Sequence, residues 1–156
     1  MSNDIKGELK KMQQIKIKKM KADALLPVRS SKQAAGWDLY NNDEQDTLVC
    51  PGETKFIHTG IAIEGVEGYF GAIVARSGLS TKNGLAPANK IGVIDSDYRG
   101  EIMVALHNHS NSPYVTKPGE RIAQLIFIPY LAIELVETEN LSLTERGQKG
   151  FGSTGK

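Results

Sequence analysis

The sequence is poor in cysteine and aromatic residues and has no excess of charge. A single cysteine, Cys50, in 156 residues excludes an internal disulfide framework and fits a reducing cytoplasm. On its own that thiol reads as a small, half-buried strand residue rather than a nucleophile. Lys and Arg total 19 against 18 Asp and Glu, so no strong field points to nucleic acid or an anionic membrane as a bulk partner. A small anionic ligand held by a few arginines stays allowed. No apolar run approaches the length of a membrane span, and the start "MSNDIKGELKKMQQ" has no signal-peptide core, which predicts a soluble, cytoplasmic protein. CxxC, HExxH and GxSxG are all missing, leaving zinc-peptidase and serine-hydrolase chemistry without a foothold. Helical periodicity is also missing. "GLSTKNGLA" (78–86) is the one stretch that suits a short helix.

What is present is a series of short β-branched or alternating runs cut by Gly, Pro, Asn and Asp. The clearest cover 15–20, 54–64, 69–75, 101–110 and 121–137, the last split by Pro129. Many short strands with regular turn signals predict an all-β sandwich or barrel of jelly-roll type. The length suits one domain able to bury about 70% of its unfolded surface. Residues 1–14 read as a charged, solvated arm, 15–137 as the β domain, and 138–156, polar and glycine-rich, as a mobile C-terminal segment.

Several stretches can carry chemistry. In "NKIGVIDSDYRGEIMVAL" (89–106) two β-runs flank "DSDYRG", a hairpin signature. Asp95 and Asp97 either cap the turn or, for Asp95 at the end of an apolar strand, stand at a pocket mouth. "ARSGLS" (75–80) joins a guanidinium to a hydroxyl and a glycine, a combination that suits a phosphate as well as a plain polar turn. Asp38 in "AAGWDLY" is either a buried structural carboxylate or a functional one. Gln124 is the polar exception in an apolar strand and should meet a backbone group or a ligand. "HNH" (107–109) has zinc-compatible spacing but no third ligand nearby, so no metal ligands are assigned. The ending "KGFGSTGK" mimics glycine-rich phosphate loops, yet those loops feed a following helix.

Together these stretches resemble the homotrimeric dUTP pyrophosphatase (dUTPase) family. "AGWDLY", "RSGLSTKNG", "GVIDSDYRGE", "GERIAQLIF" and "RGQKGFGSTG" stand in that family's motif order across residues 35–155. The resemblance implies a jelly-roll trimer that hydrolyses dUTP to dUMP and pyrophosphate, with Mg²⁺ bound through the triphosphate and water. It makes Asp95 the carboxylate that orients and deprotonates the attacking water. Asn89 and the backbone of Val93, Ile94 and Met103 would read uracil, and Tyr98 would form the floor under the deoxyribose. Arg76, Ser77, Gly78 and Gln124 would cradle the phosphates, with Asp38 in support. Phe151 would stack on uracil while Arg146, Gly152, Ser153 and Thr154 close over the phosphates as a lid. Each pocket would draw the phosphate loop, the hairpin and the lid from different subunits.

The chain departs from the family pattern at Trp37, which is bulkier than expected before Asp38, at Lys149, where glycine is commoner, and in the arm before Ile15. A related dCTP deaminase would need a glutamate base and would lack the Asp-x-x-Tyr hairpin. A non-catalytic nucleotide-binding trimer would have no need of Asp95.

Overall fold

The computed structural model describes residues 14–150. Among them are β1 (Lys16–Lys19), β2 (Trp37–Tyr40), β3 (Thr47–Val49), β4 (Thr54–His58), β5 (Ile61–Glu64), β6 (Tyr69–Val74), α1 (Ser77–Asn83), β7 (Leu85–Pro87), β8 (Gly92–Ile94), β9 (Met103–Asn108), β10 (Tyr114–Thr116) and β11 (Arg121–Pro129). The strands form a four-stranded sheet in the order β2-β11-β6-β8, a three-stranded sheet β4-β9-β7, and the ribbons β1-β5 and β3-β10. Every pairing is antiparallel. The all-β expectation with one short helix holds for the described residues. No helix among them is long and apolar enough to cross a membrane.

Period-two alternation sorts the strand faces. Val104, Leu106 and Asn108 of β9 point inward while Met103, Ala105 and His107 do not. Leu39, Ile57, Ile61, Leu85, Leu106 and Ile122 are fully buried, each contributing about 1.5–3 kcal/mol of burial. Asn108 is the polar member of that interior, and its side-chain amide donates to the carbonyls of Val49 (2.9 Å) and Ser112 (2.8 Å). Both donors are satisfied, so burying it is tolerable.

Four local expectations need correction. The run 54–64 is two strands in different sheets, because Thr59 and Gly60, the latter at φ +68°, turn the chain between β4 and β5. The strands flanking "DSDYRG" do not pair with each other: β8 pairs with β6, and β9 pairs with β4 and β7. Pro129 ends β11, and residues 131–137 form no strand; Leu131 and Leu135 are 81% and 94% exposed. Cys50 lies past the end of β3 and is exposed.

Candidate active site

The true hairpin partners are β7 and β9, in register from Leu85↔Asn108 to Pro87↔Leu106, with one further bond from the Ala88 N–H to the Ala105 carbonyl (2.8 Å). Past that bond the two arms part. Lys90 adopts φ +62°, and the Ile91 N–H folds back to the Asn89 carbonyl at 2.6 Å, a tight turn that L-residues rarely accept. The turn swings Gly92–Ile94 onto β6 in the other sheet, while Met103 stays paired with His58 of β4. The gap between the arms is a cavity of about 230 Å³. Asn89, Val93, Ile94, Asp95, Tyr98 and Met103 all line it. β8 is the edge strand of its sheet, so one row of its N–H and C=O groups has no strand partner among the described residues.

The turn after β8 is held from within. The Tyr98 N–H donates to the Asp95 carbonyl at 3.1 Å, and Arg99 donates to the carbonyls of Ser96 (2.7 Å) and Tyr98 (3.0 Å). The Tyr98 hydroxyl donates to the Glu101 carbonyl at 3.1 Å. Its ring lies so close over Gly100 that a Cβ there would collide with the phenol end. Asp95 also borders an open groove of about 620 Å³ with Glu67 and Asp97, which gives its carboxylate a face to solvent. Among the cavity's other lining residues, two are large or charged side chains to which the sequence assigns no role. Phe56, 67% exposed on β4, stands at the rim, and Glu101 forms part of the wall. Phe56 sits in a plain alternating strand, and Glu101, although inside the 89–106 stretch, has no spacing signal that pairs it with His58.

A second cluster gathers the residues expected to hold phosphate. Asp38 of β2 accepts from Arg76 Nε at 2.9 Å, Arg121 Nη1 at 3.2 Å and Ser30 Oγ at 3.0 Å. Burial pushes the Asp38 carboxyl up, but the hydrogen bonds from Ser30, Arg76 and Arg121 and the Arg76 charge outweigh it and hold the group below its ordinary value. Gln124 pairs across from Asp38 in the β2–β11 register, and its side chain covers Gly36 so closely that a Cβ there would force the Gln124 amide to move. Arg121 and Gln124 are three apart and would face opposite ways on a regular strand. A bulge between Arg121 and Ala123 leaves Ile122 and Ala123 both buried, so Arg121 can turn back to Asp38. Ser77 and Gly78 open α1 beside Arg76, and nothing lies within 4 Å of where a Gly78 Cβ would stand. No member of this cluster lines the cavity.

Trp37 points away from that carboxylate. It pairs across from Leu125 with the Arg29 guanidinium 4.9 Å from its ring centre, so its bulk is absorbed on the far face of β2. The imidazoles of His107 and His109 meet edge to face at 4.3 Å, and among the described residues no three His, Cys, Asp or Glu come together. Arg146 donates to the Lys149 carbonyl at 3.1 Å within a local turn and joins neither cluster. Phe151, Gly152, Ser153 and Thr154 lie outside the described residues.

The dUTPase family model matches residues 22–155. The chain belongs to the dUTPase family. A deoxyuridine 5′-triphosphate nucleotidohydrolase of Nautilia profundicola is 51% identical over 142 residues, covering 91% of this chain and 99% of that one. One from Desulfitobacterium hafniense is 50% identical over 131 residues, 83% of this chain and 87% of its own. Among solved structures, a Staphylococcus bacteriophage 80alpha dUTPase mutant with dUpNHpp aligns with a TM-score of 0.78 at 29% identity, covering 93% of this chain and all of the other. The dUTPase jelly roll is thus the fold of this chain. Within it, the splayed hairpin and the arginine-bound aspartate are the two places where the family's motifs converge.

Proposed function

We propose that this dUTPase-family chain is a dUTP diphosphatase, hydrolysing dUTP to dUMP and pyrophosphate at the Asp95 cavity. One observation carries the reading. Six residues scattered between positions 89 and 103, a carboxylate, an aromatic ring, an amide and three strand residues, converge on one cavity of about 230 Å³ beside a free strand edge. The free edge of β8 and the Met103 end of β9 offer backbone donors and acceptors to the edge of uracil, with Asn89 beside them. In this reading the gap between the arms is what excludes a 5-methyl group. The Tyr98 ring forms the floor under the deoxyribose, where a 2′-hydroxyl would clash and stay unpaired.

In the reaction Asp95 orients a water molecule and takes its proton as the oxygen bonds to the α-phosphorus. The bond from that phosphorus to the bridging oxygen breaks, and pyrophosphate leaves with the electron pair. The open groove behind Asp95 supplies solvent access. Arg76, Ser77, Gly78 and Gln124 hold the phosphates. Asp38 neutralises one of its two arginine partners, which leaves a net positive charge for the triphosphate. The open space above Gly78 is where a phosphate oxygen can approach the backbone. Mg²⁺ would enter carried by the triphosphate and water rather than held by side chains of this chain. When bound, that ion neutralises phosphate charge.

The working unit of this reading is a cytoplasmic homotrimer with 1–14 as an arm, 15–137 as the β domain and 138–156 as a lid. The lid brings Phe151 onto the uracil face and Arg146 with Gly152, Ser153 and Thr154 onto the phosphates. The separation of the Asp38 cluster from the Asp95 cavity within one chain supports a pocket shared between subunits. The deciding experiment is turnover against dUTP, dCTP, UTP and the other dNTPs with Mg²⁺. Pyrophosphate from dUTP alone supports the assignment, and ammonia from dCTP overturns it. Mixed trimers of an Asp95→Asn chain and a chain cut before Arg146 should recover some activity, and no recovery refutes the shared pocket.

A further inference from the structure

The wall of the cavity opposite β8 holds a carboxylate with no place in that mechanism. Glu101 lines the pocket, yet both its oxygens are engaged elsewhere: Oε1 accepts the Gly60 N–H at 2.8 Å, and Oε2 sits 2.9 Å from His58 Nδ1. A carboxylate held ionised can only accept, so His58 carries the proton on Nδ1. Burial alone would raise the Glu101 pKa, but the His58 and Gly60 hydrogen bonds outweigh it and hold the group below its ordinary value. The same segment is stitched to the β4–β5 turn twice more. The Thr59 hydroxyl donates to the Ile102 carbonyl, and the Ile102 N–H donates to the Ile61 carbonyl at 2.9 Å.

These bonds matter because the Glu101 carbonyl is the acceptor for the Tyr98 hydroxyl. Gly100 links the two residues and tolerates no Cβ beneath the ring. The angle of the Tyr98 ring is therefore referred, through the Glu101 peptide and side chain, to a turn more than forty residues away in sequence. We propose that Glu101, backed by His58, is a positioning residue that sets the Tyr98 ring and thereby the preference for deoxyribose over ribose. The proposal rests on the dUTPase reading of the Asp95 cavity. It assigns Glu101 no contact with the substrate.

The test compares the wild-type chain with Glu101→Ala, Glu101→Gln and His58→Ala, measuring kcat and KM for dUTP and UTP and calorimetric binding of a non-hydrolysable dUTP analogue. Glu101→Ala should raise KM for dUTP about tenfold with kcat within about threefold, and should cut the dUTP:UTP preference about tenfold. Glu101→Gln, which still accepts the Gly60 bond, should restore most of both, and His58→Ala should shift them about threefold. In a Tyr98→Phe background, Glu101→Ala should add almost nothing to the loss of preference. An unchanged preference in a folded Glu101→Ala protein overturns the proposal, and so does a full Glu101 effect that persists without the Tyr98 hydroxyl. If Glu101→Ala does not fold, His58→Ala and its double variant with Tyr98→Phe decide by the same criteria. A wild-type chain that leaves dUTP intact would instead remove the underlying reading.

Discussion

The two clusters that gather the family's motifs are built on opposite physical plans. The Asp95 cavity is a gap. It exists because one hairpin divides its arms between two sheets, and its lining is largely apolar and backbone. The Asp38 cluster is a junction of two strands, the N-cap of α1 and a loop, in which one carboxylate binds two guanidiniums and a hydroxyl at 2.9 to 3.2 Å. Shape decides what the first can hold, and charge decides what the second can hold. Yet each places a side chain of the proposed site directly over a glycine, Tyr98 over Gly100 and Gln124 over Gly36, where the bare backbone leaves room for it.

The contrast breaks most sharply at the two carboxylates. On the proposed mechanism Asp95→Asn should lower kcat for dUTP by at least ~100-fold while leaving analogue affinity within a few-fold, because a residue that removes a proton need not hold the fold or the ligand. Stopped-flow or steady-state turnover beside calorimetric binding checks this, and equal losses in both would erase the distinction. Asp38→Asn should act in the other currency. Removing the shared counter-charge leaves two guanidiniums facing each other and should lower stability by about 2 kcal/mol, below the value for a fully buried pair because Arg121 is half-exposed. The acid limb gives a second reading of the same variant. The folded-state pKa of Asp38 lies below its ordinary 3.8, so its stabilisation is present above that value and is lost as pH falls through the folded one. Wild-type melting temperature should therefore fall below about pH 4 more steeply than that of Asp38→Asn.

Smaller changes sharpen the comparison. Gly100→Ala should push the Tyr98 ring out of place and raise KM for dUTP about tenfold, whereas Gly36→Ala should displace Gln124 and weaken triphosphate binding without altering dUTP:UTP preference. Lys90→Gly relieves a left-handed backbone conformation and should change stability by under about 1 kcal/mol, in the favourable direction, as measured by chemical denaturation.

Local chemistry was legible in the sequence and long-range partnership was not. Asp95 and Tyr98 belong to one turn, and Arg76, Ser77 and Gly78 to one strand-to-helix corner, so each group stands together in the sequence, although it is the family resemblance that suggests its role. Arg121 stayed hidden because its direction depends on a bulge that leaves no mark in the apolar pattern. Glu101 and His58 stayed hidden because nothing near either names the other. The run 54–64 looked continuous because Thr59 and Gly60 interrupt its geometry without interrupting its hydrophobicity. The 89–106 stretch reads as a hairpin, yet β8 and β9 do not pair, because which strand pairs with which is settled by the sheets rather than by the turn between them.

A slot formed where one hairpin straddles two sheets has its width set by how those sheets ride on each other. Warming that loosens the contact between the sheets would change that width without unpairing either sheet. If the proposed uracil slot is right, discrimination against a 5-methyl base should fall at a lower temperature than turnover itself.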